Sequence, residues 1–191
     1  MREVFAAAML LSASVAMPAW AAPQGQVACI YDAFTGEQRT AVATELTKLI
    51  ANPEATLDPA IEKMANGTVE KAAVACKKRH KWSDQQTSAS EDFASAQIIA
   101  VHMQNDPALV GIDFGKLDSA LAPQTGKTMV QLLMGSEPSD AEMESFRKAA
   151  MAAGIGENDP DRLIRVITYL SMKHRANVAA AIFAAPPVVK D

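Results

Sequence analysis

Two of the chain's three histidines, His102 and His174, lie in segments where an imidazole could face the protein interior. His174 comes four residues after Leu170 and four before Val178, a spacing that places all three on one face of a helix. His102 lies four residues after Ile98 in a separate apolar segment. Two inward-facing histidines on different helices could ligate a haem or a metal ion between them. The alternative, which the pattern favours, is that each imidazole is half-buried and its N–H is hydrogen-bonded.

The chain lacks the common sequence motifs of catalysis and of cofactor attachment. It has no C-x-x-C-H for covalent haem, no H-E-x-x-H for zinc and no G-x-S-x-G around a serine. Asp140, Glu142 and Glu144 crowd the start of a predicted helix, where capping and the helix dipole favour carboxylates. We therefore expect no cofactor and favour a non-enzymatic role. An enzyme whose catalytic residues converge only in the folded chain remains the alternative.

The two cysteines, Cys29 and Cys76, are predicted to form a disulfide. An even pair of cysteines in an exported protein is interpreted first as a structural bridge. A redox-active pair is the alternative, but such pairs usually have the form C-x-x-C, and these two are far apart in sequence. If Cys76 were free, the basic residues 77–79 would lower the pKa of its thiol.

The N-terminus is typical of a secretory signal peptide. Arg2 is followed by an uncharged stretch over 4–16 and then by Ala19-Trp20-Ala21, which matches an A-x-A cleavage site. The apolar stretch is shorter than the roughly 20 residues of a membrane-spanning helix. The first cysteine comes too late for a lipoprotein. We predict cleavage after Ala21, a periplasmic or secreted location, and no transmembrane anchor in the remaining chain.

Residues 77–81 (Lys-Lys-Arg-His-Lys) form the one dense basic run. They fall at the end of a predicted helix, where cations complement the helix dipole. A solvated helix end is the favoured interpretation, and a surface site for lipid headgroups or a polyanion is the alternative. The formal net charge of the whole chain is −4, so we expect no nucleic-acid partner.

The pattern of capping residues and apolar spacing predicts an all-α protein. The predicted class is a compact bundle of about six to seven helices with one disulfide and no sheet. We expect one helical domain over 22–184 and a frayed tail over 185–191. The segment 84–105 is apolar nearly all round, which predicts the central helix. The predicted helices cover 36–51, 59–65, 69–81, 84–105, 121–134, 140–153 and 161–184.

Residues 34–38 (Phe-Thr-Gly-Glu-Gln) are similar to the L-T-x-x-Q motif of small periplasmic all-helical stress chaperones. The same residues also form a capping box preceded by a hydrophobic side chain. The second copy of the motif is absent, because residues 138–142 lack the hydrophobic residue, the Thr and the Gln. The resemblance covers five residues, and the family is not assigned on it.

Together these features favour an exported helical protein that binds a protein, a peptide or an envelope component without catalysis. The runner-up is a helical bundle that binds a small ligand, haem or metal through His174 and possibly His102. The sequence identifies neither the ligand nor the partner.

The signal peptide can be tested on the protein that cells accumulate. Cleavage after Ala21 should leave Ala22 as the first residue, because Ala19 and Ala21 supply the small side chains that the peptidase requires. N-terminal sequencing and the intact mass check this directly. An accumulated protein that retains Met1 would refute the signal assignment.

Overall fold

The computed structural model of the chain describes residues 24–52, 54–119, 139–155 and 159–186, and these residues contain helices and loops but no strand. The prediction of an all-α fold is confirmed. Among these residues, no helix combines the length and the apolar character needed to cross a bilayer. The helices are α1 (Gln24–Val27), α2 (Cys29–Asp32), α3 (Gly36–Ala51), α4 (Pro59–His80), α5 (Asp84–Gln104), a 3-10 helix (Pro107–Leu109), α6 (Phe114–Ser119), α7 (Asp140–Ala152) and α8 (Pro160–Ala184).

The helix starts follow the capping residues of the sequence. Helices α3 and α5 both begin with a complete capping box, in which Thr35 pairs with Gln38 and Ser83 with Gln86. Each hydroxyl accepts the N3 amide, and each glutamine carbonyl accepts the N-cap amide, so two otherwise unpaired donors are satisfied per helix. Asp–Pro pairs begin α4, the 3-10 helix and α8, at Asp58, Asp106 and Asp159.

The predicted break between the helices 59–65 and 69–81 is wrong, because α4 runs unbroken from Pro59 to His80. Gly67 does not adopt the positive φ that a C-cap glycine needs, and the Thr68 hydroxyl donates to the Met64 carbonyl within the helix. Beyond this point Ala72, Ala73 and Cys76 are buried in the core. That burial outweighs the cost of one internal glycine, roughly 1 kcal/mol.

Helix α5 is the central helix, as predicted, and it packs antiparallel against α8. Near its start, the Gln85 side-chain amide donates to the Ile182 carbonyl at 3.1 Å. At its end, the Gln104 side-chain amide donates to the Tyr169 hydroxyl, also at 3.1 Å. Helices α1, α2, α3 and α4 all contact α5. Most buried side chains along α5 and α8 are small or medium in size, which allows close approach of the two backbones.

Two hydrophobic clusters share this helix pair. One cluster surrounds the disulfide and contains Ile30, Trp82 and Phe183, with the Trp82 and Phe183 rings edge-to-face at 5.1 Å. The other surrounds Tyr169 and includes side chains from the 3-10 helix, α6 and α7, among them Leu109, Leu117 and Ala150.

The apolar face predicted for the last helix is partly wrong. Val178 is 43% exposed, although its spacing from Leu170 placed it on the apolar face. The helix instead buries alanines along its C-terminal half. Only small side chains fit there, because α5 lies close. A prediction from hydrophobicity alone therefore put the wrong residues on the buried face. The buried residues of α8 are Val166, Thr168, Tyr169, Leu170, Ser171, Ala176, Ala179 and Phe183.

Several predictions fall outside the described residues. These are the signal peptide with its cleavage site, the helix 121–134 and the end of the tail at 187–191. Helix α8 ends at Ala184, where the sequence predicted its end. The segment 106–117, which lies between the predicted helices 84–105 and 121–134, contains the 3-10 helix and the start of α6.

The predicted disulfide between Cys29 and Cys76 is present and joins α2 to α4, with the two Cα atoms 6.2 Å apart. Cys76 is buried in the core cluster, and Cys29 packs against it. An intramolecular bridge of this kind is consistent with an oxidising, exported location.

Removal of this disulfide should lower stability strongly. On the chain-entropy model, a bridge that closes a loop with a sequence separation of 47 contributes about 4 kcal/mol. We expect the double variant Cys29→Ser/Cys76→Ser to lose stability of that order in urea denaturation. Reductant should destabilise the wild-type protein and leave the double variant unchanged. Equal urea midpoints for the two proteins in the absence of reductant would contradict the prediction.

Candidate binding groove

An open groove with a volume of about 420 Å³ lies between α3 and α5, with α2 at its edge. Its walls combine aliphatic, aromatic and polar side chains from segments that are far apart in sequence. The lining residues are Tyr31, Gly36, Arg39, Thr40, Ile98, Val101, His102 and Asn105.

The C-terminal half of α5 supplies the apolar part of the groove. Ile98 is buried and anchors this wall in the core cluster around the disulfide. Val101 and His102 lie one turn further on and are half-buried. The Asn105 side-chain amide donates to the Val101 carbonyl at 2.7 Å, which satisfies a carbonyl left unpaired at the helix end.

Arg39 of α3 supplies a positive charge to the groove. Its guanidinium lies over the Tyr31 ring, 4.6 Å from the ring centroid, an arrangement that stabilises the cation and fixes its position. Within the described part of the chain, Arg39 has no carboxylate partner. The side chain therefore keeps hydrogen-bond donors for a bound group. Thr40 has a local role, since its hydroxyl donates to the Gly36 carbonyl.

The structure does not bring His102 and His174 together in this groove. His102 lines it, whereas His174 of α8 is not among the lining residues. His174 is half-buried at the edge of the packed face of α8, and its burial lowers the pKa of the imidazole. This geometry fits the interpretation of His174 as a packing residue.

Metal-binding side chains do not cluster in the part of the chain that the structure describes. No group of three or more His, Cys, Asp or Glu residues is close enough there to hold a metal ion. Both cysteines are bonded to each other and are not available as ligands.

A partly buried polar network surrounds Tyr169 in the N-terminal half of α8 and has a structural role. The Tyr169 hydroxyl donates to an Asp118 carboxylate oxygen at 2.5 Å and accepts the amide of Gln104. Burial, and then the hydrogen bond to the Asp118 carboxylate, raises the pKa of Tyr169, so the phenol stays protonated. Lys173 lies 3.8 Å from the same carboxylate. The network ties α6 to α5 and α8.

Sequence reasoning missed Tyr31 and Arg39. Tyr31 precedes the first predicted helix, and only the turn between α2 and α3 folds its ring beneath Arg39. One sequence signal could have drawn attention to Tyr31: the chain has only two tyrosines and a low aromatic content.

The five residues that resemble the chaperone motif have local roles in this fold. Phe34 is buried in the core cluster around the disulfide, and Thr35 and Gln38 form the capping box of α3. Comparison with protein-family models, characterised proteins and solved structures found no match.

The lowered pKa of His174 predicts an acid-sensitive component of stability. The unfolded chain, with an imidazole pKa near 6.5, binds a proton more readily than the folded chain, so stability falls as pH drops through and below that value. We expect His174→Gln to reduce the loss of stability between about pH 7 and pH 5. Urea midpoints at both pH values, with His102→Gln as the control, measure this. An unchanged pH dependence in His174→Gln would contradict it.

Proposed function

We propose that this chain is an exported, non-enzymatic helical protein that binds a peptide segment of an envelope partner in the groove between α3 and α5. The observation that carries the proposal is the pairing of an apolar wall with an unneutralised, pre-positioned cation. Ile98 and Val101 offer the wall, and Arg39 on Tyr31 offers the cation. Concave sites that combine apolar lining with a few fixed polar groups are the usual form of a binding site.

The disulfide supports the exported part of the proposal. A bridge between Cys29 and Cys76 persists in an oxidising compartment and is rare in the reducing cytosol. The N-terminal pattern that ends at Ala21 agrees with such a compartment.

The chemistry of the groove favours binding over catalysis. His102 is the one histidine among its lining residues, and no carboxylate lines the groove. The Thr40 hydroxyl is engaged with a backbone carbonyl and has no adjacent base. The described residues of the groove thus lack the nucleophile–base pair that a hydrolase or transferase needs.

The same groups indicate which ligand fits. A cation beside an aliphatic wall complements an acidic side chain or a C-terminal carboxylate that follows an apolar residue. An extended peptide can present both groups within a few residues. The haem or metal alternative has less support, because the groove contains His102 without His174.

The groove can be closed without changing the charge of the protein. A Cβ added at Gly36 meets no atom within 4 Å, and the same holds at Gly67 on α4, away from the groove. Gly36→Leu should therefore fold and obstruct the groove, and Gly67→Leu is the matched control. Arg39→Gln removes the cation and leaves a shorter, neutral polar side chain.

Selection of displayed random decapeptides against the immobilised protein supplies the probe, and fluorescence polarisation of the recovered peptides gives the affinities. We expect peptides with an acidic residue beside an apolar one. Gly36→Leu and Arg39→Gln should each weaken their binding by about tenfold or more, the range of a hydrogen bond to a charged group. Gly67→Leu should bind like the wild type. A library that yields no binder would overturn the proposal. Peptides whose affinity falls equally in Gly36→Leu and in Gly67→Leu would also overturn it.

A further inference from the structure

The outward side of α4 carries a row of lysines that the groove does not use. Lys63, Lys71, Lys77, Lys78 and Lys81 are all exposed. At 3.6 residues per turn, Lys71 and Lys78 lie on the side of the helix opposite the buried core residues Ala72, Ala73 and Cys76. We call these five lysines the basic face.

Few acidic groups neutralise the basic face. Glu70 shares this side of α4, and Asp84 pairs with Lys77. The other four lysines have no carboxylate partner within the described part of the chain. The face thus has a surplus of positive charge, although the whole chain has a net charge of −4. Charge is distributed unevenly over this protein.

The helix dipole explains the positions of only some lysines of the basic face. Lys77, Lys78 and Lys81 lie at the C-terminal end of α4, where cations stabilise the last carbonyls. Lys71 lies farther from that end, and Lys63 lies in the second turn of α4, where the dipole does not favour a cation. Val74, in the middle of the face, is 66% exposed. Helix stability alone does not explain these three residues.

We propose that the basic face docks the protein on the anionic phospholipid headgroups of a membrane surface. The face follows one side of a single helix for about 25 Å, a length that suits a plane of phosphates better than a small molecule. Lysines near an anionic leaflet attract it individually. Val74 can rest among the headgroups between the flanking lysines. The disulfide holds the opposite side of α4 in the core, so the face is presented on a rigid support.

Sedimentation with vesicles tests the proposal on the protein in the form that cells accumulate. Vesicles of phosphatidylcholine alone are compared with vesicles that contain equal amounts of phosphatidylcholine and phosphatidylglycerol. We expect binding to the anionic vesicles only, with affinity that falls as salt rises. Each basic residue contributes about fivefold, so Lys71→Gln/Lys78→Gln should weaken binding about 25-fold.

The matched control changes the net charge equally at another place. Lys48 and Lys148 are exposed and pair with Glu45 and Glu144, so Lys48→Gln/Lys148→Gln should bind nearly as well as the wild type. Far-UV circular dichroism verifies that both double variants fold. Equal loss in the two double variants would show an effect of net charge and overturn the basic face as the contact.

A reporter at Val74 tests the orientation. Val74→Trp places an indole at an exposed site in the middle of the face, and its fluorescence should shift to the blue on anionic vesicles. Sedimentation without this shift would overturn the orientation. The contrary outcome is that the wild type binds immobilised heparin and fails to sediment with the anionic vesicles. That result would overturn the membrane proposal in favour of a polyanion partner.

Discussion

The antiparallel contact between α5 and α8 is the interaction on which the rest of the described fold depends. Hydrogen bonds hold the pair at both ends, through Gln85 on the Ile182 carbonyl and Gln104 on the Tyr169 hydroxyl. Between them the buried side chains are mainly small, so the two backbones lie close and many dispersion contacts form. Both hydrophobic clusters use residues of α5 and of α8, so this helix pair connects them.

The disulfide restrains one edge of the candidate groove. Cys29 is bonded to α4 and lies two residues before Tyr31, so the bridge restrains the short helix that carries the tyrosine. Tyr31 in turn positions Arg39 by the contact between ring and guanidinium. The opposite wall belongs to α5. The groove therefore lies between a covalently restrained corner and the central helix.

The two proposed surfaces use different physical properties of the chain. The groove combines an apolar wall with one fixed cation and suits a small, directional contact. The basic face of α4 combines several mobile lysines and suits a diffuse electrostatic contact that salt weakens. Under both proposals the protein would hold a partner peptide beside an anionic membrane. Each proposal can be refuted independently of the other.

The sequence by itself determined the features that depend on neighbouring residues. The capping boxes at Thr35 and Ser83 and the Asp–Pro pairs fixed helix starts, and the two cysteines indicated their bridge. Tertiary packing decided what local signals could not. Helix α4 passes through Gly67 because its C-terminal half is buried, and α8 turns alanines rather than Val178 toward α5 because the backbones are close. The meeting of Tyr31, Arg39 and His102 likewise exists only in the folded chain, because residues distant in sequence become neighbours when helices pack.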